Sequence, residues 1–240
     1  MWKRTAWEAC CQRITDKEDK SGDGRKQKMS HCAECDLRGC KTYEEDKTLR
    51  DCPGKDKPIQ EQAAALFQEP DNLRMARAAA QVEAEGYGQL CRMEEIILFC
   101  KKLGFQKLGL VFCTGLSKEA ATVSRILRYH GFDVASVLCK NGSHPKSSIG
   151  LTCNETLLGN DLEVMCNPVG QALVMNQENV DFNILLGLCV GHDTLCLKYL
   201  DAPATVLAVK DRRTGHNPLA AIYLADGYFR KRLFPEQDKA

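Results

Sequence analysis

The stretch Asn183-Ile184-Leu185-Leu186-Gly187-Leu188-Cys189-Val190-Gly191-His192-Asp193 decides the fold. An apolar run of strand length ends at a cysteine, small and polar residues follow, and a helical pattern continues from Thr194 to Tyr199. A continuous apolar run is what a strand buried on both faces looks like, and parallel strands between helices are buried that way. In open α/β sheets ligands bind beyond the carboxyl ends of such strands. Cys189, His192 and Asp193 are therefore candidate catalytic residues as well as the end of a strand.

Working outward, the same grammar repeats. Leu108–Phe112 reads as a strand that ends at Cys113, with a helix opened by Ser117 and closed near Tyr129-His130-Gly131. Asp133–Leu138 is a second strand, ending at Cys139-Lys140. The segment to Asp161, rich in Ser, Gly and Asn, is a loop of functional length and contains Cys153. In Cys166-Asn167-Pro168, Asn as N-cap and Pro in the first turn start a helix running to Asn176. Thr205–Val209 is the last strand, emptying into Lys210-Asp211-Arg212-Arg213-Thr214-Gly215-His216-Asn217-Pro218. Alternation of this kind predicts an α/β fold, a small doubly wound parallel sheet of about four strands with flanking helices. No Gly-x-Gly-x-x-Gly follows the first strand and no Walker pattern occurs, so nothing supports nucleotide binding by the usual loops.

Parallel strands deliver their carboxyl ends to one edge. Cys113, Cys139 and Cys189 each end a strand and Cys166 opens a helix in the same repeat, so the four are a candidate second metal or cluster site. Adjacent strands would put the three strand-end thiols within about 10 Å, at roughly 4.8 Å per strand. Lys140, Lys210, Asp211, Arg212, His216 and Asn217 share that edge and are candidates for binding a small anionic ligand. Taken singly, each cysteine is as well explained by core packing, and Lys210-Asp211-Arg212 by a solvated turn.

Composition changes near residue 60. Residues 1–60 carry 14 basic and 12 acidic side chains, and the remaining 180 residues carry 39 charged ones, about half that density. The first stretch lacks the apolar material for a core. Residues 1–28 read as a disordered extension, with Cys10 and Cys11 as free thiols. Residues 29–58 contain Cys32-x2-Cys35-x4-Cys40-x11-Cys52-Pro53, the strongest local signal in the chain. Four thiolates complete a tetrahedral zinc or an iron–sulfur cluster, and bound metal can supply the folding energy a missing core cannot. Proline after the last cysteine resembles ferredoxin runs, whereas the long gap before it suits zinc, so both stay open. This is a Cys-rich metal-binding arm ahead of the α/β domain. Residues 59–105 read as helical: Ile59–Glu69 stopped by Pro70, a helix capped by Asp71 running to about Tyr87, and a third through Met93–Phe99 ending in Lys101-Lys102-Leu103-Gly104. Cys91 and Cys100 fit there as small apolar residues. The α/β domain spans 106–235.

The net charge of +1 gives no reason to expect nucleic acid or an acidic membrane as partner, and no apolar run reaches the length of a membrane span. No apolar core follows Lys3 and Arg4, so no secretory signal is expected. With 14 cysteines in a chain of this length and patterning, reduced thiols in the cytoplasm are the expectation.

The chain resembles an uncharacterised prokaryotic family, a domain of unknown function whose members are described as predicted metal-binding proteins. The resemblance runs from about Met29 to Tyr228. It rests on Cys32, Cys35, Cys40 and Cys52, on Val82-Glu83-Ala84-Glu85-Gly86-Tyr87, Phe112-Cys113-Thr114-Gly115-Leu116 and Cys166-Asn167-Pro168, and on Gly187 to Asp193. Ala202-Pro203, Lys210-Asp211-Arg212 and Gly215-His216-Asn217-Pro218 complete it. The chain departs from its relatives at Cys196 and Leu200, where they resemble Phe and Ser. The resemblance implies metal binding and no reaction. Three functions follow in order: a metal or iron–sulfur protein; an enzyme on a small anionic substrate, with Cys189 or Cys113 as nucleophile, His192 as base oriented by Asp193 or Asp211, and Lys210 and Arg212 as clamp; and a non-catalytic sensor or interaction module.

Overall fold

The structure is a computed structural model, and it describes residues 30–42 and 44–235. The expectations for residues 1–28, including Cys10 and Cys11, lie outside them. The chain divides into two compact units between Glu69 and Pro70.

In the first unit, short 3-10 turns at Cys32–Glu34, Gly39–Lys41, Glu45–Lys47 and Pro53–Lys55 lead into α1, Lys57–Phe67. Asp56 caps α1, its carboxylate accepting from the Ile59 N–H at 3.3 Å, and Pro58 sits in the first turn. The cap and the proline start this helix two residues ahead of the expected Ile59.

The second unit opens with α2, Pro70–Gly86, and α3, Arg92–Lys102. The helix before Pro70 ends at Phe67, and Pro70 itself, not a residue after an Asp71 cap, begins the next, because the first helical position needs no N–H and wants the φ that proline supplies. At α3 the Glu94 carboxylate accepts from the Cys91 N–H at 2.8 Å, half of a capping box. Lys101 and Lys102 complement its carboxyl end, and Gly104 takes φ +66 just beyond.

From there β1 (Lys107–Phe112), α4 (Ser117–Tyr129), β2 (Asp133–Leu138), α5 (Pro168–Gln177), β3 (Phe182–Leu188), α6 (His192–Tyr199) and β4 (Ala204–Val209) follow in order. The turns α7 (Leu219–Tyr223) and α8 (Arg230–Leu233) close the described chain. All the strand pairings are parallel and the order is β2-β1-β3-β4, the expected four-stranded sheet. Every residue of β3 is buried, the polar Asn183 included, as a strand covered on both faces requires, whereas β4 is half-buried throughout as an edge strand.

The two faces have separate cores. Leu108 and Leu110 of β1 and Phe182, Ile184 and Leu186 of β3 pack with Ile96, Ile97 and Cys100 of α3 and Ala120, Val123 and Leu127 of α4. On the other face Val111, Val137, Leu185 and Leu188 pack with Ala172 and Met175 of α5 and Cys196 of α6. Helices on both faces make the sheet doubly wound.

The alternation along β3 breaks once. Residues 182, 184 and 186 serve one face and 185 and 188 the other, so one position is skipped at Gly187, where the pairing with β4 also shifts register. Gly187 has φ +68, and a Cβ there would lie 2.1 Å from Leu116 Cδ1. It is a β-bulge at which any larger residue is strained and must displace Leu116. The bulge rotates the strand end and sets how Cys189 leaves the sheet.

Among the described residues no helix is long and apolar enough to cross a membrane.

Candidate functional site

Strands β2, β1 and β3 are neighbours, so the condition for gathering their terminal cysteines is met. The connections from β1 and β3 leave in opposite directions, toward β2 and β4. The crevice between Cys113 and Cys189 is thus the topological switch point, where ligands of open α/β sheets bind.

Each cysteine is held by its local backbone. The Cys113 N–H continues the β1–β3 ladder, donating to the Leu186 carbonyl at 3.1 Å, before the chain turns through Thr114-Gly115-Leu116. That turn aims the Thr114 N–H at Cys139 Sγ, 3.3 Å away. The Asn167 N–H donates to the Cys139 carbonyl at 2.7 Å, which ties the Cys166-Asn167 corner to the end of β2. Asn167 also caps α5, its side-chain oxygen accepting from the Gly170 N–H at 2.8 Å as the sequence indicates. Cys113 and Cys139 are buried, Cys166 and Cys189 half-buried, and all twelve described cysteines are free. Burial pushes the Cys139 thiol up to about 12; the Thr114 N–H opposes the shift, and Cys166 and Cys113 add to it.

Cations converge on the same edge. Arg212 Nη2 stands 3.5 Å from Cys189 Sγ. The guanidinium is pushed above its ordinary value, chiefly by that hydrogen bond and then by Cys189's charge, with Cys113 and Cys166 contributing less. Lys210 Nζ reaches back from the end of β4 over two glycines, 3.5 Å from where a Gly115 Cβ would stand and 3.7 Å from a Gly187 Cβ. Cys113 Sγ lies 3.9 Å from the same Gly115 position. Lys140 donates from Nζ to the Val164 carbonyl, pinning the long loop. That loop is not featureless: Pro145 and Val164 form an antiparallel bridge, and Lys146 pairs with Glu163 at 2.6 Å.

His192 opens α6, half-buried. Burial holds its imidazole below the ordinary value; Lys140, Lys146 and Arg212 act the same way and Asp193 the opposite. The expected carboxylate orienting this base is not seen among the hydrogen bonds of the described residues. Asp193 Oδ1 accepts from the Thr194 N–H at 2.8 Å, and Asp211 Oδ1 accepts from the N–H groups of Arg213 and Thr214 at 2.9 and 3.0 Å. Short acidic side chains at turns bond to nearby backbone N–H groups, Asp193 to that of the next residue and Asp211 to those two and three residues on. His216, at φ +68, accepts at Nδ1 from the Asp211 N–H at 3.1 Å, so it braces the loop. Asn217 is exposed beside it.

Sequence reasoning missed Gln171. It is fully buried under this edge, and its Nε2 donates to the Phe112 carbonyl at 3.1 Å and the Val137 carbonyl at 2.9 Å, joining the ends of β1 and β2. A glutamine four residues past an N-cap is an unremarkable surface letter; only the sheet beneath it reveals the role.

In the first unit, the Cys35 N–H donates to the Cys32 carbonyl at 3.3 Å and the Lys55 N–H to the Cys52 carbonyl at 3.0 Å, so both ends of the cysteine series lie on i to i+3 turns. A Cβ on Gly39 would lie 2.4 Å from the Lys47 carbonyl oxygen, so only glycine lets the chain pass there into Cys40. Cys32 and Cys40 are exposed, Cys35 and Cys52 half-buried. Among the described residues no group of three or more His, Cys, Asp or Glu could hold a metal ion as placed, in the arm or at the strand edge.

A protein of Methanocaldococcus jannaschii, itself named as uncharacterized, is 38% identical over 202 residues, 84% of this chain and 97% of that protein. The model of the family described as protein of unknown function DUF1847 matches residues 52–207, which include Cys52, Cys113, Cys139, Cys166, Cys189 and His192. The chain belongs to the DUF1847 family.

Proposed function

We propose that this chain is a soft-metal-binding protein whose N-terminal arm holds one zinc ion or one iron–sulfur cluster through Cys32, Cys35, Cys40 and Cys52. One observation carries the reading: among the described residues of the first unit only Gly39 is buried. A segment with no buried apolar side chain draws no stability from a core, and four thiolates on one metal supply stability of another kind. The donor set fits. Four free sulfurs are the ligands that zinc and iron–sulfur clusters prefer, and turns at both ends of the series can aim two of them together. Binding would draw the sulfurs together, so metal affinity and folding of the arm are one free energy. Bound there, the metal acts as a cross-link, and an iron–sulfur cluster could also carry an electron.

The test is elemental analysis with a visible absorption spectrum of the full chain purified without oxygen. About one zinc, or iron with acid-labile sulfide, is expected per chain, and changing Cys32 and Cys40 to Ser should remove it. Metal-free protein, or metal retained when all four cysteines are replaced, would overturn the assignment.

A further inference from the structure

The geometry points to a binding site for a small anionic molecule, a carboxylate or phosphate, in the crevice between Cys113 and Cys189, with the Cys189 sulfur as the nucleophilic group that meets the ligand. This site is independent of the metal reading of the arm.

The first ground is unneutralised positive charge. Among the described residues neither Lys210 nor Arg212 forms an ion pair, while Lys146, Lys102, Lys107, Lys47 and Arg92 all do. The carboxylates of the same edge, Asp193 and Asp211, accept from backbone N–H groups of their own turns. Among the described residues neither cation has a carboxylate within ion-pair distance, and Arg212 meets the Cys189 sulfur instead.

The second ground is that the fold makes room for them. Gly115 and Gly187 both border Lys210 Nζ, and at Gly187 any side chain would have to displace Leu116. Arg212 meets Cys189 Sγ at 3.5 Å. Positive charge, an accessible sulfur and the switch point of the sheet coincide, and the ligand class such a place recognises is a compact anion.

Two alkylating agents of nearly equal size test this, because one is an anion. With an ordinary thiol, neutral iodoacetamide reacts faster than iodoacetate: sulfur displaces iodide, the S–C bond forms as the C–I bond breaks, and the thiol proton goes to solvent. Two cations about 6 Å from the incoming carboxylate, even at the permittivity of water, should favour the anion at Cys189 by about tenfold. The full chain is treated with each reagent, and the rates at Cys189 and at exposed Cys91 are read by peptide mass spectrometry, with the arm metal-loaded and after chelation. Iodoacetate should react faster at Cys189 with saturating kinetics, iodoacetamide faster at Cys91, and inorganic phosphate should slow only the former. Arg212→Gln changes an exposed side chain and should bring the Cys189 rate ratio toward that of Cys91 with the circular dichroism unchanged. Faster iodoacetamide at Cys189, or no protection by phosphate, overturns the site whatever the metal content. The same preference in chelated protein separates its fate from that of the arm.

Discussion

Replacing Gly187 by Ala tests how β3 ends, since the bulge there carries both the strand and the site. Two costs add. An L-residue held at φ +68 costs about 1–2 kcal/mol. The new methyl would stand 2.1 Å from Leu116 Cδ1, a buried side chain of the core, so Leu116 must leave its place, an overpacking cost of about 1–3 kcal/mol. The sum, about 2–5 kcal/mol, is a large part of the stability of a domain this size. Gly104→Ala is the control: φ there is +66 but nothing lies within 4 Å of the added carbon, so only the backbone term applies. Urea unfolding followed by far-ultraviolet circular dichroism should lower the midpoint of Gly187→Ala well beyond that of Gly104→Ala at equal slope. Adding Leu116→Ala to Gly187→Ala should remove the steric term and expose coupling between the two changes. Equal midpoints for the two glycine variants would show that β3 does not bulge onto Leu116 and would refute the geometry given for Cys189.

Two further outcomes follow from buried groups. Gln171→Leu keeps the volume but leaves the Phe112 and Val137 carbonyls without their donor, so thermal unfolding should reveal a loss of about 2–4 kcal/mol, and an unchanged midpoint would deny the tie between β1 and β2. Burial raises the Cys100 thiol from 9.0 to about 12, with the Asp181 charge adding to the shift. The unfolded chain releases this proton first, so the stabilisation is complete below pH 9 and is lost as pH rises toward 12, at about 1.4 kcal/mol per pH unit. Cys100→Ala should show a shallower alkaline decline than the parent in denaturant titrations at stepped pH; identical slopes would mean the thiol is not buried as described.

Much of the α/β unit was legible because its strands obey strict periodic rules. The apolar run from Ile184 to Leu188, bounded by polar residues, reads as a strand covered on both faces, and Asn167-Pro168 supplies the cap and first turn of a helix. Pro70 was misread because proline both ends one helix and begins the next, and two adjacent helices offer both roles. The grouping of strand-end cysteines was readable once parallel connections fixed one edge. What could not be read was which side chains would be consumed by backbone. Asp193 and Asp211 were expected beside His192, and each turned to the N–H groups of its own turn, a local choice that outcompetes a distant imidazole. Gln171 and the Lys210 ammonium over Gly115 and Gly187 depend on contacts between segments far apart in sequence, for which no local pattern exists. Gly187 lay between: a lone glycine in an apolar strand signals a bulge, though not the leucine that fills it.

X-ray absorption at the metal edge of the full chain tests the central assignment most directly. The account predicts a first shell of four sulfur atoms, at about 2.3 Å if the metal is zinc, with sulfur lost when Cys40 is changed to Ser. A shell dominated by nitrogen and oxygen, or one unchanged by that substitution, would contradict it.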